Sequence, residues 1–346
     1  MTTISSFISS LSAAQVGKLS TASIASLQTN DINAMTTAQV AALNSSQVGA
    51  LQTQELEALG SKISAVALNA LIGISNANIA NLTSTEITGL STKQVAQLAT
   101  AQVAQLTSDQ ESFLSTGDIA ALSSAQVAVL NTTGVAQWDS THVAAINAKA
   151  IGGLATADIA TLSFAALSSA QIGGLSTADV AQLTSDQVSA LTTGQIAGLS
   201  SAQVALLNTA GVAAWTSTDV GAINAKAIAG LSAADIATLS FAALSSTQVA
   251  ALSTAQVAQL TSAQISGLST GQIAGLSSAQ VALLNTAGVG AWTTQQVDAI
   301  STKAIPGLSN AEATAAYAEL TTAQSQALTS GQVAAVLAAY EAANAG

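Results

Sequence analysis

The chain repeats one eight-residue phrase almost from end to end, Leu-[Ser/Thr]-[Ser/Thr]-Ala-Gln-[Val/Ile]-x-x. From Leu82 the anchor recurs at every eighth position to Leu130, passes in phase through Trp138 and Ile146, and reaches Leu162. A five-residue step leads to Leu167, from which octads run through Trp215 to Leu239. A second such step leads to Leu244 and a third run through Trp292 to Leu308. A period this short cannot enclose a core of its own. Each octad must be covered by its neighbours, which is the condition for a solenoid.

The phrase reads as the start of a helix. With Ser253 at the N-cap, Gln256 falls at N3, the pairing of a capping box in which each side chain satisfies the other's backbone amide. Leu252 and Val257 then occupy N′ and N4 and form a hydrophobic staple. Asp118, Asp158, Asp179, Asp219 and Asp235, and Glu86, take the Gln position in other octads. Acids suit that place, because the first turn carries the positive end of the helix dipole. The next Ser/Thr pair arrives after about two turns, so no helix runs long. One continuous helix would let the Leu stripe drift around its cylinder. The predicted fold is an all-α solenoid of very short capped helices, eight residues per unit, with alternating helix direction and about two units per coil. A β-solenoid is the rival. Against it stand the strand-poor Ala and Gln and an apolar spacing of five then three, which is not alternation.

A longer repeat encloses the octad. Residues 154–230 and 231–307 are nearly the same sequence at an offset of 77, a more diverged copy covers about 90–153, and Trp138, Trp215 and Trp292 keep that spacing through these three super-repeats. These three tryptophans read as large replacements of the Leu anchor. The five-residue steps contain Phe164 and Phe241, expected to fill the gap that a partial unit leaves. Five segments follow: 1–10, an N-terminal cap or contact segment; 11–59, a first octad block; 60–81, an interruption or joint; 82–308, the main array; 309–346, capping helices. Between Leu59 and Ile74, the pattern of Ile63, Val66, Leu68 and Leu71 predicts one longer amphipathic helix. The apolar ends either cap the core or join subunits head to tail. Ile4, Phe7, Ile8, Tyr317 and Tyr340 are the candidate contacts.

Composition narrows function. Only 7% of the residues are charged, against about a quarter in an ordinary soluble domain. The exterior is therefore built of Ser, Thr, Gln, Asn, Ala and Gly, and low surface charge favours association. A net charge of −11 with six dispersed basic residues excludes a phosphate-tracking patch. There is no cysteine. No apolar run reaches the roughly 18 residues that span a bilayer, and the N-terminus lacks the basic region of a signal peptide. Export would then use an uncleaved route such as type I secretion.

Catalytic chemistry finds little support. His142 is the only histidine, with Asp139 as its nearest acid in sequence, and reads as a surface replacement. No nucleophile elbow, phosphate-binding loop or calcium nonapeptide occurs. No cofactor or metal is expected. The sequons at Asn44, Asn81 and Asn131 read as chance matches.

The phrase at 252–257 and 276–281 resembles the Ala/Gln-rich octad repeats of large secreted or surface proteins of proteobacteria. That resemblance covers most of the chain and implies an extracellular scaffold, stalk or adhesive protein. The chain departs from giant adhesins in being short and in lacking a distinct receptor-binding or calcium-binding module. The leading expectation is a non-enzymatic, self-assembling subunit of an extracellular filament, sheath or surface matrix, with itself as partner. The alternative is a monomeric adhesin or spacer rod at the cell surface, with polysaccharide as partner. Ice or mineral binding by Ser/Thr rows ranks third.

Overall fold

The computed structural model describes residues 4–344, and the side chains of 7–343. The described residues form short α-helices and 3-10 turns, without a strand. The fold is the all-α solenoid of short helices. It divides into two compact units, Met1–Asp179 and Val180–Gly346.

Each octad folds as its capping chemistry dictates. In Thr254–Val257, Ser253 is extended (φ −67°, ψ 156°) and its side chain accepts from the Gln256 amide. Gln256 Oε1 in turn accepts from the Ser253 amide at 2.8 Å. Leu252 and Val257 are both buried, as the staple requires. Where the cap is Ala99 or Ala155, only the returning half survives, from the cap amide to Gln102 (2.9 Å) or Asp158 (3.0 Å). Two extended residues make each corner: Leu90 (φ −64°, ψ 134°) ends one helix and Ser91 (φ −73°, ψ 153°) caps the next.

The expectation of two octads per coil is corrected to three. In the first compact unit most helices pack on the third one after them, as Thr92–Gln97 does on Thr116–Ala121. Gln39 Nε2 donates to the carbonyls of Ile8 (2.9 Å) and Leu11 (2.8 Å). Gln39 stands four residues after its own anchor Met35, so the coil from Leu11 to Met35 has 24 residues. The physical reason lies at the corner. Two extended residues turn the chain aside without reversing it, so three corners are needed to close a coil.

The second compact unit follows the same rule and shows what the five-residue step does. Gln272 Nε2 reaches Phe241 O (2.8 Å) and Leu244 O (2.7 Å) across a full coil. Gln256 Nε2 reaches Ile228 O (2.9 Å) and Leu231 O (2.7 Å), and the coil from Leu231 to Leu252 has only 21 residues. The step forms a single 3-10 turn, Phe241–Ala243, in place of a helix. Phe241 is buried there, as is Phe164 in the matching turn Phe164–Ala166 of the first unit.

The long amphipathic helix expected between Leu59 and Ile74 does not form. A 3-10 turn, Gly60–Ala65, is followed by an extended Val66 (φ −60°, ψ 126°) and a four-residue helix, Leu68–Leu71. Gly60 has φ +51°, a left-handed conformation that disfavours a side chain. That residue and the Val66 corner break the helix and keep the chain on its three-sided path. Ile63, Val66 and Leu71 are buried, whereas Leu68 and Ile72 are exposed. At the other end, Asn310–Ala316 and the turn Tyr317–Glu319 precede Thr322–Ser325 and the 15-residue helix Ser330–Asn344.

Candidate functional site

The N3 glutamine is the central polar group of the fold. Its Oε1 caps its own helix while its Nε2 donates to carbonyls one coil earlier. Gln47 reaches Val16 O (3.0 Å) and Leu19 O (2.8 Å); Gln280 reaches Val249 O (3.2 Å) and Leu252 O (2.9 Å). These side chains are buried, Gln47 at 1% exposure and Gln280 at 4%. Buried carbonyls at helix ends need donors, and the glutamines supply them coil after coil. Reading the residue as a capping partner alone missed this second half. The signal was present: Glu serves a capping box equally well, yet the chain uses Gln in most octads.

Exceptions obey the same chemistry. Lys62 takes the place of Gln, its Nζ donating to Ile32 O (3.3 Å), Asn33 O (2.8 Å) and Met35 O (3.0 Å). A cation at the carbonyl end of a helix also complements its dipole. Asn208 and Asn285, which precede Gly211 and Gly288 at N3, cap and donate at once. Asn208 Oδ1 accepts from Gly211 N (2.8 Å) and Nδ2 donates to Leu183 O (2.9 Å); Asn285 repeats both bonds. Where Asp stands at N3 the donor is lost, and Asp118, Asp158 and Asp235 each keep a buried Oδ1 without a partner.

The three tryptophans are interior anchors. Their indole N–H groups donate to Glu111 O (3.3 Å), Val188 O (2.9 Å) and Ile265 O (2.8 Å), one coil earlier in each super-repeat. All three are buried, which leaves no stacking face for a ligand. His142 Nδ1 lies 2.8 Å from Asp139 Oδ1. Asp139 is the N-cap of Ser140–Ala145 and accepts from the Thr141 and His142 amides. The Thr141 hydroxyl first, and then the His142 amide, hold the Asp139 carboxyl well below the ordinary aspartate range. Among the described residues no cluster of three or more His, Cys, Asp or Glu side chains could hold a metal ion.

Apolar exposure gathers on the last coil, with one large exposed side chain on the first. Phe7, on Ile4–Ser10, is 57% exposed. Ile8 turns inward and is buried, its carbonyl bound by Gln39. Ile4 lies in the same helix, but its side chain is outside the described set. At the far coil Tyr317, Val333, Leu337 and Tyr340 are all exposed, Tyr340 at 68%. Tyr317 faces Val336, Leu337 and Tyr340 across a groove of about 420 Å³. Elsewhere Leu68 and Ile72 form an exposed pair, and Phe113, Leu206 and Leu283 are exposed singly along the array.

A family model described as the ALTTAQ repeat matches residues 24–61, 164–193 and 240–270. The matched segments make up less than a third of the chain and fall within its octad array. The chain is a repeat protein. No curated protein matches it.

Proposed function

We propose that the protein is a non-enzymatic structural subunit that joins copies of itself end to end into an extracellular filament, sheath or surface matrix. The observation that carries this reading is the cluster of exposed apolar side chains on the last coil, Tyr317, Val333, Leu337 and Tyr340, with Phe7 exposed on the first, in a chain that is only 7% charged. Apolar patches rimmed by polar residues mark association surfaces, and little surface charge opposes contact between copies.

The partner is a second copy because the ladder has a direction. Each coil donates amide N–H groups toward the coil before it and offers carbonyls to the coil after it. Gln15, in the first coil, uses its Oε1 to cap Ser12 (2.8 Å), and no coil precedes it among the described residues to take its Nε2 protons. A copy stacked on the last coil through its own first coil continues both the hydrogen bonds and the apolar contact. Among the described residues no helix is long and apolar enough to cross a membrane.

Sedimentation velocity and electron microscopy over a range of concentrations test the reading. Filaments or end-to-end oligomers are expected, and the pair Leu337→Asp with Tyr340→Asp should abolish them while leaving the helical circular dichroism intact. A monodisperse monomer across concentration, salt and pH would overturn it.

A further inference from the structure

One core position differs in kind among the three super-repeats. Residues 111, 188 and 265 are equivalent at the 77-residue offset, and they are Glu, Val and Ile. Glu111 is fully buried, at 0% exposure. Its Oε1 accepts from the Asn131 amide at 2.7 Å, and its Oε2 has no partner. The neighbouring helix Thr132–Val135 fits against it only because residue 134 is glycine; a Cβ there would collide with the Glu111 carboxyl. The other two copies show the same close approach with aliphatic contents, Gly211 against Val188 and Gly288 against Ile265. The cap above is also disturbed. Asn131 Oδ1 accepts from Thr133 N (2.9 Å), whereas Asn208 and Asn285 accept from the N3 glycine.

No cation accompanies this carboxyl. The helix packed on it, Thr132–Val135, carries no titratable residue. One coil further on, the helix Thr156–Ile159, which packs on Thr132–Val135, contributes Asp158, itself buried with Oδ1 unpartnered. On its own helix Asp109 is exposed, and one coil earlier Glu86 turns its carboxylate to Thr83. Among the described residues the one ion pair is His142 with Asp139. A buried carboxylate near a second acid, with one backbone donor, is disfavoured relative to its neutral form.

We propose that Glu111 makes the first super-repeat a pH-sensitive weak point of the solenoid, closed while the carboxyl is protonated and loosened when it ionises. Burial first, and Asp158 in addition, push the Glu111 carboxyl up to about 8, against one hydrogen bond from Asn131 that pulls it down. Opening the coil returns the group to water and to its ordinary value of 4.5. The opening equilibrium therefore rises about tenfold per pH unit between those two values and levels off above the higher one.

Hydrogen exchange of the full chain, corrected for the intrinsic dependence of exchange on pH, tests this with two controls inside the same molecule. From pH 5 to pH 8 the segment 108–138 should lose protection by two to three orders of magnitude (roughly tenfold per unit), while 185–215 and 262–292 stay constant. Glu111→Val and the isosteric Glu111→Gln should both flatten the first segment. Equal pH dependence in all three wild-type segments would overturn the proposal even if a variant failed to fold. So would a Glu111→Gln protein that retained the wild-type slope.

Discussion

At the scale of the residue, the N3 amide does two jobs that a carboxylate cannot do together. Gln256→Glu keeps the acceptor for the Ser253 amide but removes both donations to Ile228 and Leu231. A buried acceptor left without a donor costs about 1–3 kcal/mol, and a charge set against two carbonyls adds to that. The same change at Gln15, exposed in the first coil with no carbonyls beneath it among the described residues, should stay within about 0.5 kcal/mol. Urea denaturation of the two variants checks the contrast; equal losses would mean that the cap alone matters. The converse change, Asp235→Gln, removes an unpartnered buried oxygen. By the register of its neighbours it gives the carbonyls of Val204 and Leu207 a donor, so a gain of about 1 kcal/mol is expected in the same assay.

At the scale of the element, each helix of four to seven residues is too short to persist alone, because nucleation is costly relative to the few bonds gained. Caps and close contacts therefore carry unusual weight. Ser253→Ala should cost about 1 kcal/mol through loss of the bond to the Gln256 amide. Gly211→Ala tests packing: an added Cβ would lie 2.5 Å from Val188 Cβ. Overpacking of this kind costs about 1–3 kcal/mol, and a shift in thermal midpoint measures it. Both cap and staple were legible from Leu252, Ser253, Gln256 and Val257, since all lie within six residues of one another. The segment after Leu59 was not. Its apolar spacing fits a helix, and only the left-handed Gly60 and the extended Val66 show that the corner rule overrides it.

At the scale of the whole molecule, stability should depend on pH through Glu111. Its folded value lies above its unfolded one, so the stabilisation is complete below about 4.5 and is lost as pH rises toward about 8. The change across that window is at most about 4 kcal/mol. Asp139 acts in the opposite sense, contributing above the ordinary aspartate value and losing its contribution in acid. Denaturant titrations from pH 5 to pH 9 should show falling stability in the wild type and a flat profile in Glu111→Val. A stability that rises across this range would contradict the assignment. The first super-repeat, the only one with an acid at this position, should open first.

The sequence by itself determined where the capped octad helices begin, because a capping box is a local device: its partners sit three residues apart and meet whatever the rest of the chain does. It also determined that octads must stack, since no eight-residue unit can bury its own leucine and valine. The number of octads in a coil, the carbonyls that each glutamine reaches, and the meeting of Glu111 with Asp158 were decided only by tertiary structure. Those pairings join residues 24 to 47 positions apart. They exist only once three corners have closed each coil and the next coil has settled on it.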